Sequence, residues 1–233
     1  MKTMTSLDFV IARKYLVQEA VTTIPIGVVV SFFVGNIYTM PAAFADIIPV
    51  VLGFTLLALD EKGNWEGFRL ALPLSRTDVI AGRYATCALL AIAGIAFGLA
   101  IYALSLIVSL LAPNLPNASN LAADVEIGFA LAAPCIGALA GLVMLAIVTP
   151  VATRYGMTKA MRLVPVVALF AICFCIAFAS ATSATASIEA AIDEAFASPA
   201  SFAALLLIAI ALVAVIYVAS CALSCKLYQH REP

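Results

Sequence analysis

Trp65, Phe68 and Leu72 recur at i, i+3 and i+7 between Asn64 and Pro73. On a helix that spacing gathers the three side chains on one face. Asn64 is a residue type that caps a helix start, and Pro73 is one that ends a helix. Arg69 falls within this stretch, and Ser75 and Arg76 follow it. The chemistry these types can do is recognition, because an apolar ridge bordered by cations suits a groove on another protein. Ser75 and Asp78 form a second start signal, S-x-x-D, for a further helix. A passive connector would need neither the apolar face nor two caps.

Residues for bond-making chemistry are scarce. The single histidine, His230, lies in the basic tail. The phosphate-cradling pattern G-x-x-x-x-G-K-[ST] does not occur, so nucleotide hydrolysis is not expected of this chain. No H-E-x-x-H zinc pair occurs either. The six cysteines, Cys87, Cys135, Cys173, Cys175, Cys221 and Cys225, lie in apolar stretches or at their ends. They read as small packing residues rather than as disulfides or metal ligands. Asp46 is the one acid within reach of an apolar span, about one turn from its end, and is expected to face water at the interface. The chain is therefore read as no enzyme, with no cofactor and no metal of its own.

Hydropathy and charge say what must position the Trp65 face. The chain is 65% hydrophobic and 11% charged, with mean hydropathy +1.14. Soluble domains average about 45–50% apolar and about 25% charged. A spanning helix needs about 20 apolar residues. Candidates are 20–38, 42–59, 84–112, 127–150, 163–181 and 201–224, in a single transmembrane domain over 1–233. All twelve Lys and Arg fall within 2–14, 62–83, 154–162 and 226–231, and the alternate loops 35–46, 113–126 and 182–198 hold none. Cytoplasmic loops hold the excess of Lys and Arg. The expected fold is all-α and integral to the membrane, with six transmembrane helices and the N- and C-termini cytoplasmic. Acids interrupt the basic clusters, which makes them an inner rim rather than a nucleic-acid surface. Arg13, Lys14 and Glu19 interrupt any early apolar core, so the first span is expected to be a retained anchor rather than a cleaved signal.

Finer elements follow. Thr5 and Asp8 fit a capping box, and Leu7, Val10 and Ile11 share a side, which predicts a short N-terminal interfacial helix over 5–19. A helix from Arg76 to residue 112 would measure on the order of 55 Å at about 1.5 Å per residue. A bilayer core of about 30 Å would leave part of it as a stalk. The cytoplasmic coupling segment is thus 60–83. A second cytoplasmic loop, 149–162, presents Arg154, Tyr155, Lys159 and Arg162, which suit inner-side anchoring. Ile188, Ile192 and Phe196 recur at helical spacing in the loop 183–198, as a short helix on the outer surface would. Gly94/Gly98 and Gly137/Gly141 have the spacing that lets helices approach closely, more often within a bundle than between chains. Pro25, Pro49, Pro134 and Pro165 can kink their spans.

The stretch DEKGNWEGFRLALPLSRTDVIAGRY, 60–84, resembles the type 2 ABC exporter permeases. Within that group it is similar to the small six-span permeases that include phenol-soluble modulin and antibiotic-peptide exporters. The matching positions are Asp60, Lys62, Trp65, Leu72, Pro73, Leu74, Ser75, Arg76, Arg83 and Tyr84. The run TPVATRYGMTKAMR is similar to a second family stretch, with Met161 inserted before Arg162. Ser224, Lys226, Tyr228, Arg231 and Glu232 match the family's ending. The resemblance implies a permease in the plasma (inner) membrane of a bacterium, paired with a second copy or a sister permease. ABC ATPase subunits would bind at the cytoplasmic face and hold ATP and Mg, with 65–72 as the coupling helix. Membrane lipid is the other expected partner. Few charges in the spans suit export of an amphipathic or hydrophobic cargo such as a membrane-active peptide. A rival reading is a non-transporting membrane scaffold or immunity protein that binds a peptide or lipid.

Overall fold

A computed structural model describes residues 2–62, 76–123, 125–160 and 199–229. The helices are α1 (Lys2–Val34), α2 (Thr39–Lys62), α3 (Arg76–Leu111), the short α4 (Ala118–Ala123), α5 (Ile127–Tyr155) and α6 (Pro199–Gln229). Among the described residues, five of these, all but α4, are long and apolar enough to cross a membrane. The expected span 163–181, the coupling helix 65–72 and the outer helix 183–198 lie outside the described residues.

Helix directions follow from which residues meet. Arg83 of α3 bonds Asp8 of α1, and Gly27 of α1 abuts Ile101 of α3, so these two helices run parallel. The rings of Phe129 and Phe202, at the starts of α5 and α6, are 4.9 Å apart. Ser220 of α6 reaches the carbonyl of Ala146 near the end of α5, so this pair is parallel too. The chain therefore leaves α5 at one end of the bundle and enters α6 at the other. Arg13, Lys14, Lys62, Arg76, Arg83, Arg154, Lys159 and Lys226 all belong to one end, called here the basic end.

The glycines set the packing around α2. Four consecutive-turn carbonyls of α2 each face a glycine: Pro41 faces Gly98, Ala45 faces Gly94, Ala42 faces Gly137 and Asp46 faces Gly141. The first two glycines are on α3 and the last two on α5, so both Gly-x-x-x-Gly pairs pack within the bundle against neighbouring sides of α2. Pro49 has no N–H to give the carbonyl of Ala45. The glycine hydrogen that stands where a Cβ would be points at that freed oxygen, a weak C–H···O contact. α1 lies against α2 and α3, and α6 lies against α5 and α3.

Two expectations need correction. There is no separate interfacial helix, because α1 runs unbroken for 33 residues and begins before Thr5. Asp8 is thus in the helix body rather than in a cap. Within α1, the Leu7/Val10 side faces out of the bundle. Met4, Asp8 and Ala12 are buried at i, i+4 and i+8, while Leu7 is 45% exposed and Val10 69% exposed. Lipid rewards apolar surface as much as a core does, so small and polar residues go inward instead. Finally, α5 continues through Pro150 to Tyr155, so Arg154 and Tyr155 form its last turn and not a loop. The expected long helix at Arg76, in contrast, is α3, with 36 residues.

Candidate functional site at the basic end

The first turns of α3 are buried at Val79 and Ile80, and one turn further on Arg83 points into the bundle. Its Nε donates to Asp8 Oδ2 at 2.9 Å, and Nη2 donates to Oδ1 at 3.3 Å. The side chains are 4% and 1% exposed. A guanidinium fork on a carboxylate is the geometry that best offsets the cost of burying two charges. The pair ties the base of α3 to α1.

Tyr84, the next residue, ties α3 to α5 and α6. Pro150 cannot donate to the carbonyl of Ala146 four residues back. Ser220 Oγ donates to that carbonyl instead, at 2.5 Å. A serine has one hydrogen to give, so at the 2.7 Å contact between Tyr84 Oη and Ser220 Oγ the tyrosine must be the donor. By the same count Ser224 donates to Tyr84 Oη across 2.8 Å. The result is a directed chain from Ser224 through Tyr84 and Ser220 to a backbone carbonyl. Tyr217 Oη also donates to the Tyr84 carbonyl at 2.8 Å. Ser220→Ala should strand the Ala146 carbonyl, at a cost of about 1–3 kcal/mol, while Tyr84 keeps its bond with Ser224. Ser224→Ala removes only one donor to an oxygen already bonded and should cost under about 1 kcal/mol. Thermal unfolding of the two variants in detergent checks that order.

After α5, Gly156 turns the chain with φ 84, a backbone region that favours glycine, and donates to the carbonyl of Ala152. Met157 and Ala160 are then buried with Val148 and Ala152 against Phe54, Leu57 and Ala58 of α2. Arg154 and Lys159 remain exposed, and the Arg154 guanidinium lies 5.3 Å from the centre of the Tyr155 ring. Arg162 lies outside the described residues.

Of the residues expected to dock a partner, Trp65, Phe68, Arg69, Leu72, Pro73 and Ser75 lie outside the described residues, and Arg76 is the first residue of α3. The segment that holds them leaves the end of α2, which packs on 148–160, and enters α3 two turns before Arg83. Side-chain bonds join α3 here to α1 and α6, and α6 in turn to α5. Sequence reasoning missed both the Asp8–Arg83 pair and the Tyr84 chain. The available signals were an acid alone in the apolar run of α1 and serines one turn apart in α6. Among the described residues no group of His, Cys, Asp or Glu is placed to hold a metal.

Comparison with curated proteins and with solved structures returns no match. A family model described as ABC-2 family transporter protein does match, over residues 4–229. That range takes in every helix described above, including both ends of the ion pair and of the hydroxyl chain. The chain belongs to the ABC-2 family of transporter proteins.

Proposed function

We propose that this chain is the permease of an ATP-driven exporter that moves an amphipathic or hydrophobic cargo, such as a membrane-active peptide, out of a bacterial cell. Membership of the ABC-2 family makes it the membrane-spanning subunit of an ABC transporter, with the ATPase on a separate subunit. The observation that carries the finer reading is the bonding of the base of α3 to α1 and α6, immediately beyond the segment 63–75. In this reading the basic end faces the cytoplasm of the plasma membrane. Trp65, Phe68 and Leu72 seat in an ATPase groove, and Arg69, Pro73, Ser75 and Arg76 hold that coupling helix at the start of α3. The ATPase holds ATP and Mg, and its closure pushes the segment against α3. The ties at Arg83 and Tyr84 turn that push into a movement of α1, α5 and α6 together. A second copy or a sister permease completes the path. The apolar cargo follows from spans that contain no Lys, Arg or His.

Co-expression with the cognate ATPase tests the reading. The wild type should co-purify with it and support ATP hydrolysis. Trp65→Ala with Phe68→Ala removes two anchors that interface energetics rank among the strongest, at about 2 kcal/mol or more each. Affinity should fall by more than about thirtyfold, enough to lose the complex on a column. A wild type that neither binds the ATPase nor supports hydrolysis would overturn the exporter reading and favour a scaffold that binds a peptide or lipid.

A further inference from the structure

Asp46 does not sit where its sequence position suggests. It lies only seven residues beyond the start of α2, which alone would place it one turn or two below the surface. Its neighbours place it far deeper. The Asp46 carbonyl and Oδ1 both lie against Gly141, and the Ala45 carbonyl lies against Gly94. Gly141 has equal lengths of α5 on either side, and Gly94 lies three turns beyond Arg83 in α3. Glu126 and Arg154, the charges that bracket α5, are each about 20 Å from that level at about 1.5 Å per residue. Asp46 is therefore near the middle of a hydrocarbon core of about 30 Å. The depth arises because the α1–α2 turn is recessed. Asn36 Oδ1 accepts from the N–H groups of Tyr38 and Thr39 to start α2 there, and Asn117 Nδ2 donates to the Phe32 carbonyl to hold the turn under α4.

A carboxylate at that depth needs a partner, and acids in spans are rare for this reason. The chain offers no cation within its spans. The sequence has no Lys, Arg or His over 15–61, 84–153 or 163–225, so every cation belongs to the ends of the spans. A second copy of the chain would bring none to this level either. Asp46 is half-buried, on the side of α2 that meets α5 and next to the exposed Ile47 and Val51.

We infer that Asp46 receives the cationic group of the cargo, so that the exporter acts on cationic amphiphiles, their amine or guanidinium meeting this carboxylate half-way across. The inference rests on the exporter reading and narrows it. The cargo supplies the positive charge that the chain lacks, and the apolar surroundings take its hydrophobic part.

The test reconstitutes permease and ATPase in proteoliposomes. Transport is measured for a labelled amphipathic lysine-rich peptide and for the same peptide with its amines acetylated. In the wild type the cationic form should be preferred. Asp46→Asn keeps the shape and removes the charge. It should lower the ratio of cationic to acetylated transport by about tenfold or more, the size of one charge-assisted hydrogen bond, and Asp46→Glu should restore much of it. An unchanged ratio in Asp46→Asn overturns the inference, as does an equal loss of both peptides, which would mark a proton-binding or structural acid. Preference for the acetylated peptide in the wild type overturns it while leaving the exporter reading intact. Transport of neither peptide, with ATPase binding also absent, defeats both.

Discussion

Arg83→Ala should destabilise the protein by about 3–5 kcal/mol, because it leaves the Asp8 carboxylate buried without its cation. The pair is closed to solvent on both sides, and the two residues are 75 positions apart, so no local helix contact can replace it. Asp8→Ala should be comparably costly for the converse reason. The double variant Asp8→Leu with Arg83→Met is the informative control. Two buried apolar side chains of similar volume often replace an ion pair with little loss, so the double variant should be far more stable than either single one. Denaturant or thermal unfolding in detergent gives these values, and adding the double variant Asp8→Ala with Arg83→Ala closes the cycle that gives the coupling between the two positions. Additive losses, with the double alanine variant losing the sum of the two single ones, would mean that the pair does not hold α1 to α3. A folded double variant with a normal ATPase complex but impaired transport would locate the role of the pair in passing motion from α3 to α1.

Gly137→Ala should be nearly as severe. A Cβ on Gly137 would lie 1.9 Å from the carbonyl oxygen of Ala42 and 2.8 Å from its carbon. Backbone cannot swing aside as a side-chain tip can, so α2 and α5 would have to separate. Overpacking a tight site costs about 1–3 kcal/mol, and a contact this short belongs at the top of that range or beyond. Gly128, on the same helix, has nothing within 4 Å of its missing Cβ. Gly128→Ala should be neutral or mildly stabilising, since alanine is the better helix former by up to about 1 kcal/mol. Expression level and melting temperature of the two variants, measured side by side, separate a packing effect from a general intolerance of change in α5. If both alanines were tolerated, the close approach of α2 and α5 would be wrong.

Much of the architecture was readable from residues alone. The apolar runs located α2, α5 and α6 to within about five residues, the run 84–112 took in all but the first two turns of α3, and Ser75 and Asp78 predicted that those turns are helical too. The glycine spacing marked close helix contacts, and the charge clusters marked one end of the bundle. These properties are local: transfer free energy adds along a segment, and a cap or a proline acts within one turn. Membership of the ABC-2 family was also foreshadowed by the stretch 60–84.

What the tertiary structure alone decided is which distant groups meet and how deep they lie. Asp8 looked like a cap because its neighbours in sequence fit one, yet its partner is Arg83. Ser220 looked like one more small residue, and its task appears only beside the carbonyl that Pro150 frees. Which side of α1 packs inward was set by tertiary contact: Met4, Asp8 and Ala12 are buried while Leu7 and Val10 stay exposed, since in a bilayer apolar surface is as well satisfied outside as inside. Asp46 seemed interfacial when counted along α2, and the recessed turn put it at the level of Gly141. Sequence determined which of the described segments are long and apolar enough to cross a membrane, because that depends on the residues of each segment. Depth, facing and pairing depend on how one helix sits against the next, and that is set by contacts between residues far apart in the chain.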